Sequence, residues 1–302
     1  MKHAISIEDQ IELLRSRGVI ISDQEKAKEY LLDIGYYRLG FYLFPFEQSY
    51  PKKHKRTHKV LEGTRIEDAV ALYYFDADLQ RHLSYYLKRI EIAFRTKLIY
   101  EVSMSYPQHP TWFASPQIME KGYARSFEKE VYQSISTNYS IIKQHHSHHI
   151  NDRYAPAWKT IEFMTFGSTE LLYSSILDDK IRNKVRRHFG IKSHDTFCTY
   201  LRVCRTLRNK SAHANCLFDE VPYFFIPSKP AGILPEEQNS LWASLKVIYY
   251  LIGTISQNRQ REMEEDIKAL ATKLLDSGAK FRNVLLRSGK IDLVKLQKKG
   301  LH

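Results

Sequence analysis

The sequence predicts an all-α protein, and three observations carry that expectation. Apolar residues recur at helical rather than alternating spacing, glycine and proline fall between the periodic segments, and the best strand candidate, Val221 to Ile226, stands alone. Ser6-x-x-Asp9 opens a short amphipathic helix that stops at Gly18, and Ser22-x-x-Glu25 has the form of a capping box for a second that stops at Gly35. Thr64-x-x-Glu67 opens a much longer one. From Arg65 to Tyr106 there is no proline or glycine, and Val70, Tyr73, Tyr74, Ala77, Leu83, Leu87, Ile90, Phe94 and Leu98 repeat at helical spacing until Pro107 and Pro110 end the run. Further helices are expected over 116–136, 156–177, 178–189, 194–213, 238–256 and 257–276, with Gly190 and Gly278 as stops. These elements group into an N-terminal helical module over 1–60, a helical bundle core over 61–260 and a charged helical tail over 261–302.

With 302 residues, 43% hydrophobic and 13% aromatic, the chain has material for one large or two small cores and lacks the composition of a disordered protein. A net charge of +12 makes polyanions the natural partners, nucleic acid first and an anionic membrane surface second. Cys198, Cys204 and Cys216 are odd in number and lack Cys-x2-Cys spacing, which argues against a disulfide framework or a structural zinc site. The longest apolar run, Val247 to Ile255, is too short to span a bilayer, and Met1-Lys2-His3 leads into Glu8 and Asp9 rather than a signal-peptide core. A soluble, cytoplasmic protein without membrane partners is expected.

The stretch richest in chemistry is Arg208-Asn209-Lys210-Ser211-Ala212-His213, at the end of a helix that carries Arg205 and Arg202 about one and two turns earlier. Histidine can both take and give a proton near neutral pH, and arginine can hold a phosphate and the added charge of its pentacovalent transition state, so the pair suits RNA cleavage without a metal. On an ideal helix, positions five apart diverge by about 140° and about 7.5 Å, so Arg208 and His213 of one chain do not meet easily on one atom. A helical wheel gathers Phe197, Tyr200, Leu201, Cys204 and Leu207 in one apolar sector, with Arg208 at its edge and Arg202, Asn209 and His213 on another side. Asn209, four residues before His213, is placed to orient the imidazole. A second copy of the helix across a two-fold axis would bring both arginines and both histidines around one phosphate, which favours a homodimer.

These residues resemble the RNxxxH signature of HEPN domains, helical bundles that include many metal-independent ribonucleases. The wider chain is similar to the Abi-like abortive-infection proteins of bacteria, of the AbiD and AbiF type. The similarity rests on Leu31-Leu32-Asp33-Ile34-Gly35-Tyr36-Tyr37-Arg38-Leu39-Gly40-Phe41-Tyr42, on Arg89-Ile90-Glu91-Ile92-Ala93-Phe94-Arg95, on the Pro156 to Gly167 stretch, and on the Arg-x4-His element, in that order from about residue 5 to 260. The resemblance implies a HEPN-like helical bundle, cleavage of RNA and phage infection as the trigger, with a noncoding RNA or a protein as restraint. One departure is visible. Where the family often has a second histidine after the motif histidine, followed by an Arg-Leu-Trp-like run, this chain has Ala214, Asn215, Cys216, Leu217 and Phe218.

Other clusters supply surface for RNA or support for the motif. Lys52, Lys53, Lys55, Arg56 and Lys59 form a basic loop beside Tyr50, able to track a phosphate backbone while the tyrosine stacks on an unpaired base; a solvated linker is the alternative. Arg186 and Arg187 lie in a second basic patch with Arg182, Lys184 and His188, and Lys210 adds charge inside the motif. Glu91 and Arg95, four apart, suit a structural ion pair that could also orient Arg208, and Glu162, set among aromatics, calls for a partner such as an arginine of the motif helix. His145-His146-x-His148-His149 has only Asp152 nearby as a carboxylate, so no metal site is expected, and no cofactor-binding loop is present. The function expected is therefore a metal-independent endoribonuclease with Arg208, His213 and Asn209 as its catalytic group. Two alternatives use the same residues: an RNA-binding protein that holds a structured RNA without turnover, and a protein-interaction subunit in which Arg and His only satisfy the core.

Overall fold

The computed structural model describes residues 3–219 and 221–301. Met1 and Lys2, part of the stretch read as lacking a signal core, lie outside them. Among the described residues the fold is all-α, with no strand and only three isolated bridges, Ile20 to Arg65, Glu47 to Val60 and Met119 to Ile176. Val221 to Ile226 is an irregular connection, since Pro222 has no amide to donate and no neighbouring strand runs beside it. No helix among the described residues is long and apolar enough to cross a membrane.

The N-terminal module holds three helices, α1 (Ile7–Ser16), α2 (Gln24–Asp33) and α3 (Tyr36–Leu43). Ser6 caps α1 by accepting the Asp9 amide, as its position in the sequence predicts. The cap of α2 is Asp23, whose carboxylate accepts the Lys26 amide at 3.0 Å, and not the expected Ser22. α4 (Ile66–Ser105) also starts differently from expectation: Arg65 is the N-cap, Asp68 accepts its amide at 2.7 Å, and the Thr64 hydroxyl donates back to Leu61 O at 2.6 Å.

At 40 residues α4 is the axis of the molecule, about 60 Å long, and α3, α10 (Asp179–Arg187), α11 (His194–Ala212), α12 (Leu241–Ile255) and α13 (Gln257–Asp276) all pack on it. Because it has neighbours on several sides, its buried positions exceed one stripe. Ile66, Leu72, Leu79, Leu83, Leu87, Ile90, Phe94 and Leu98 are enclosed, whereas Tyr74, expected in the core face, is 46% exposed. Each enclosed large side chain contributes roughly 1.5–3 kcal/mol.

Between α4 and α10 the chain is more broken than its sequence suggests. The helix expected over 116–136 is α5 (Lys121–Phe127), a π turn and α6 (Gln133–Asn138), followed by α7 (Ser140–His148), which its polar, histidine-rich sequence conceals. The segment expected over 156–177 divides into α8 (Ala157–Thr160) and α9 (Phe166–Ser174), with Thr165 capping α9 through the Ser168 amide. In the tail, α13 runs across the expected boundary at 260, and α14 (Lys280–Ser288) and α15 (Leu293–Lys299) bury Phe281, Leu285, Leu293 and Leu296. Phe281 meets Phe46 of the N-terminal module edge-on at 6.1 Å, so both ends of the chain close on the same core.

Candidate functional site

Ser193 starts α11 by accepting the Thr196 amide, and Phe197, Tyr200, Leu201, Cys204 and Leu207 face the core as the helical wheel requires. That register leaves Arg202, Arg205 and Arg208 along the flanks. Arg208, at the edge of the apolar sector, emerges 43% exposed with its Nε 3.6 Å from Glu91 Oε2 and its Nη1 donating to Asn209 Oδ1 at 3.3 Å. The other Glu91 oxygen accepts from Arg95 at 3.0 Å, and buried Arg95 also donates to Met164 O at 3.0 Å and lies 3.6 Å from Glu162. Glu162, Arg95, Glu91 and Arg208 thus form one alternating row from α8–α9 through α4 to the motif. The row fixes the inner end of the motif arginine, while the side chain as a whole stays exposed.

Two expectations need correction here. Glu162 is paired with Arg95 and not with an arginine of the motif helix; the carboxylate that meets that helix from α9 is Glu170, 2.8 Å from Arg205. Burial raises the Glu170 carboxyl although Arg205 and Arg202 pull it down. Glu170 sits in an ordinary helical sequence with no motif around it, which is why it escapes a reading by pattern. Gly167 carries the clearer signal, because a Cβ there would stand 3.3 Å from Arg205 Cδ, so a larger residue would crowd the arginine. Arg202 lies over the ring of Phe224 at 5.3 Å.

The second correction concerns Asn209. Its side-chain oxygen faces Arg208 while its backbone carbonyl accepts the His213 amide at 3.1 Å, so the amide group does not orient the imidazole. His213 closes α11 as its C-cap and is exposed, and among the described residues no hydrogen bond engages its ring.

The chain beyond His213 is held by residues that motif reading did not single out. Ala214 has φ +50°, and its carbonyl accepts from Arg38 Nη1 at 2.6 Å; Gln80 Nε2 donates to Asn215 O at 3.0 Å. Asp76 of α4 then accepts the amides of Leu217 at 3.0 Å and Phe218 at 2.8 Å, together with Tyr42 Oη at 2.9 Å and Gln80 Nε2 at 3.0 Å. Asp76 is fully buried, and burial pushes its carboxyl up to about 6 against the pull of those donors. A carboxylate inside an apolar helical register was the signal in the sequence.

The basic residues divide by what they touch. Lys52, Lys53, Lys55 and Lys59 are exposed, with Lys53 3.1 Å from Asp219 in the segment after the motif. Arg56 instead turns inward onto buried Glu47 at 2.5 Å, and Arg186 is 7% exposed, donating to Lys192 O at 2.9 Å and lying 3.3 Å from Asp179. These two arginines are structural, because buried Glu47 claims the donors of Arg56, and Asp179 with the Lys192 carbonyl claims those of Arg186. Arg187 remains exposed, and Lys210 is half-buried. Tyr50 is also enclosed, its hydroxyl donating to Asp219 at 2.8 Å, and so cannot stack on a base. In the histidine cluster, buried His145 lies 3.2 Å from Asp152 and stacks on His149 at 4.7 Å, while His146 meets Tyr132 at 2.7 Å. Among the described residues no three or more His, Cys, Asp or Glu side chains are arranged to hold a metal ion.

A family model described as Abi-like protein matches residues 29–219, more than half of the chain. The chain belongs to this family, which places it at family level among abortive-infection proteins. The match takes in α3, the Glu91–Arg95 segment, Glu162 and the whole Arg-x4-His element. No curated protein and no solved structure matches the chain.

Proposed function

We propose that this protein is an abortive-infection endoribonuclease of the HEPN kind, acting as a homodimer on RNA in the bacterial cytoplasm once phage infection releases it from restraint. The observation that carries the reading is the pairing of an anchored, outward-facing Arg208 with an exposed His213 whose ring is unengaged, both at the end of one helix. In the proposed reaction the substrate's own 2′-OH attacks the adjacent phosphorus. His213 removes the hydroxyl proton, Arg208 stabilises the charge that accumulates on the phosphorane, and a second histidine or water protonates the departing 5′-oxygen. Glu91 and Arg95 position Arg208, and the exposed lysines of the 52–59 loop hold flanking phosphates.

The test is the chemistry of the ends. Cleavage by the purified protein is expected to yield 2′,3′-cyclic phosphate and 5′-OH termini, to be blocked by a 2′-deoxy substitution at the cut site, and to persist in EDTA. Products bearing 5′-phosphate, or activity lost on chelation and restored by magnesium, would reject this mechanism. Salt-sensitive RNA binding without turnover would favour a protein that holds RNA over one that cuts it.

A further inference from the structure

Helix α3 touches the motif with one face and walls a cavity with the next. Arg38 reaches Ala214 O at 2.6 Å; Phe41, one turn on and about 60° around the helix, lines a cavity of about 260 Å³ with Tyr36, Tyr37 and Gly40. The opposite wall comes from Arg17 after α1 and from Arg56 and His58 of the basic loop. Tyr37 is 80% exposed and Phe41 41% exposed, and the rings meet edge-on at 5.1 Å at the side of the cavity. His58 holds φ +58°, which costs energy in a non-glycine residue, and its Nδ1 lies 3.4 Å from buried Glu47. Aromatic faces beside a few fixed polar groups suit a planar heteroaromatic ring with a polar edge. A simple anion would find Arg56 committed to Glu47 and Arg17 donating to Tyr36 at 2.6 Å, and a lipid chain would leave the Glu47 carboxylate facing hydrocarbon.

We propose that this cleft takes the nucleobase of an RNA nucleotide adjacent to the cleaved phosphate and thereby sets cleavage-site preference; the placement rests on the ribonuclease reading above. Exposed Lys55 and Lys59 adjoin the lining residues Arg56 and His58 along the loop, and Lys53 bridges to Asp219 at 3.1 Å in the segment after His213. A strand with its base in the cleft has its phosphates led along this basic rim toward the motif.

Gly40 supplies the test, because a Cβ at this position meets nothing within 4 Å and a side chain there enters the cleft. The full-length His213→Ala chain would be titrated with short RNAs carrying one abasic site at each position in turn, with and without Gly40→Leu. One abasic position is expected to weaken binding about tenfold or more. Gly40→Leu should weaken the intact RNA equally and abolish the penalty at that position alone. Tyr37→Ala, at an exposed site that leaves the fold alone, should reproduce the effect in part. Independent, additive losses would overturn the proposal, as would no loss with Gly40→Leu. Nucleoside monophosphates titrated against the same chains separate the source of the base: binding lost in Gly40→Leu while RNA affinity is unchanged assigns the cleft to a free nucleotide and overturns its role in RNA recognition. An intact chain that leaves RNA uncut yet keeps the abasic coupling supports the cleft and removes the ribonuclease reading instead.

Discussion

Glu91 Oε2 lies 3.6 Å from Arg208 Nε while Glu91 Oε1 holds buried Arg95 at 3.0 Å, so one carboxylate joins a core arginine to the arginine of the motif. The relationship separates two effects of removing it. Glu91→Ala leaves Arg95 with Met164 O and the more distant Glu162, and should cost about 1–3 kcal/mol in urea unfolding. Glu91→Gln keeps an acceptor for Arg95 but loses the charge that restrains Arg208, so RNA cleavage should fall about tenfold with a smaller loss of stability. Unchanged cleavage by a folded Glu91→Gln chain would remove Glu91 from the positioning of Arg208.

His213→Ala should abolish cleavage and toxicity while shifting stability by no more than about 0.5 kcal/mol, since the side chain is exposed and its ring carries no hydrogen bond among the described residues. Arg208→Lys should also fail, because an ammonium cannot reproduce the planar fork that grips two phosphate oxygens. Cleavage by purified His213→Ala at an undiminished rate would end its catalytic assignment.

Much of this arrangement could be read before any coordinates. The apolar register of α11 placed its core face correctly, and the four-residue spacing of Glu91 and Arg95 announced their contact. What remained hidden depended on long-range closure. Glu170 reaches Arg205 from another helix, and Asp76, Gln80 and Arg38 grasp the chain after His213 from far earlier in sequence, with no local pattern pairing them. For the same reason charge alone misplaced Arg56 and Arg186, whose guanidinium groups are claimed by Glu47 and by Asp179 with Lys192 O.

Asp76 offers a prediction in pH. Its folded carboxyl, raised by burial to about 6, binds its proton more tightly than the unfolded carboxyl with its ordinary value of about 4. The stability from that protonation is therefore full below about pH 4 and is lost as pH rises through about 6, at a slope approaching about 1.4 kcal/mol per unit between them. Asp76→Asn lacks this term, and while its oxygen can keep the Leu217 and Phe218 amides, its NH2 would face the Gln80 Nε2 donor, so it should be less stable at low pH, with the gap to the unaltered chain narrowing as pH rises. Denaturant midpoints of both chains from pH 4 to 7 measure that difference. A constant gap across the range would place the Asp76 carboxyl outside this window.

The last prediction concerns assembly. Arg208 and His213 diverge by about 140° around one helix, Arg208 is tied back toward Glu91, and the Asn209 side chain faces Arg208 rather than the imidazole, so a single α11 has no side-chain bridge between the two groups. A two-fold axis beside the exposed end of α11 would let the arginine of one chain and the histidine of the other face a common phosphate. Under that arrangement an Arg208→Ala chain and a His213→Ala chain, each inactive alone, should regain part of the activity when mixed and allowed to exchange, because some mixed dimers hold one intact arginine opposite one intact histidine. Light scattering should report a dimer or a larger even assembly, and activity should fall on dilution below its dissociation constant. A strictly monomeric protein that cuts RNA at full rate would refute the shared site and leave Arg208, Glu91 and Arg95 of one chain to serve its own His213.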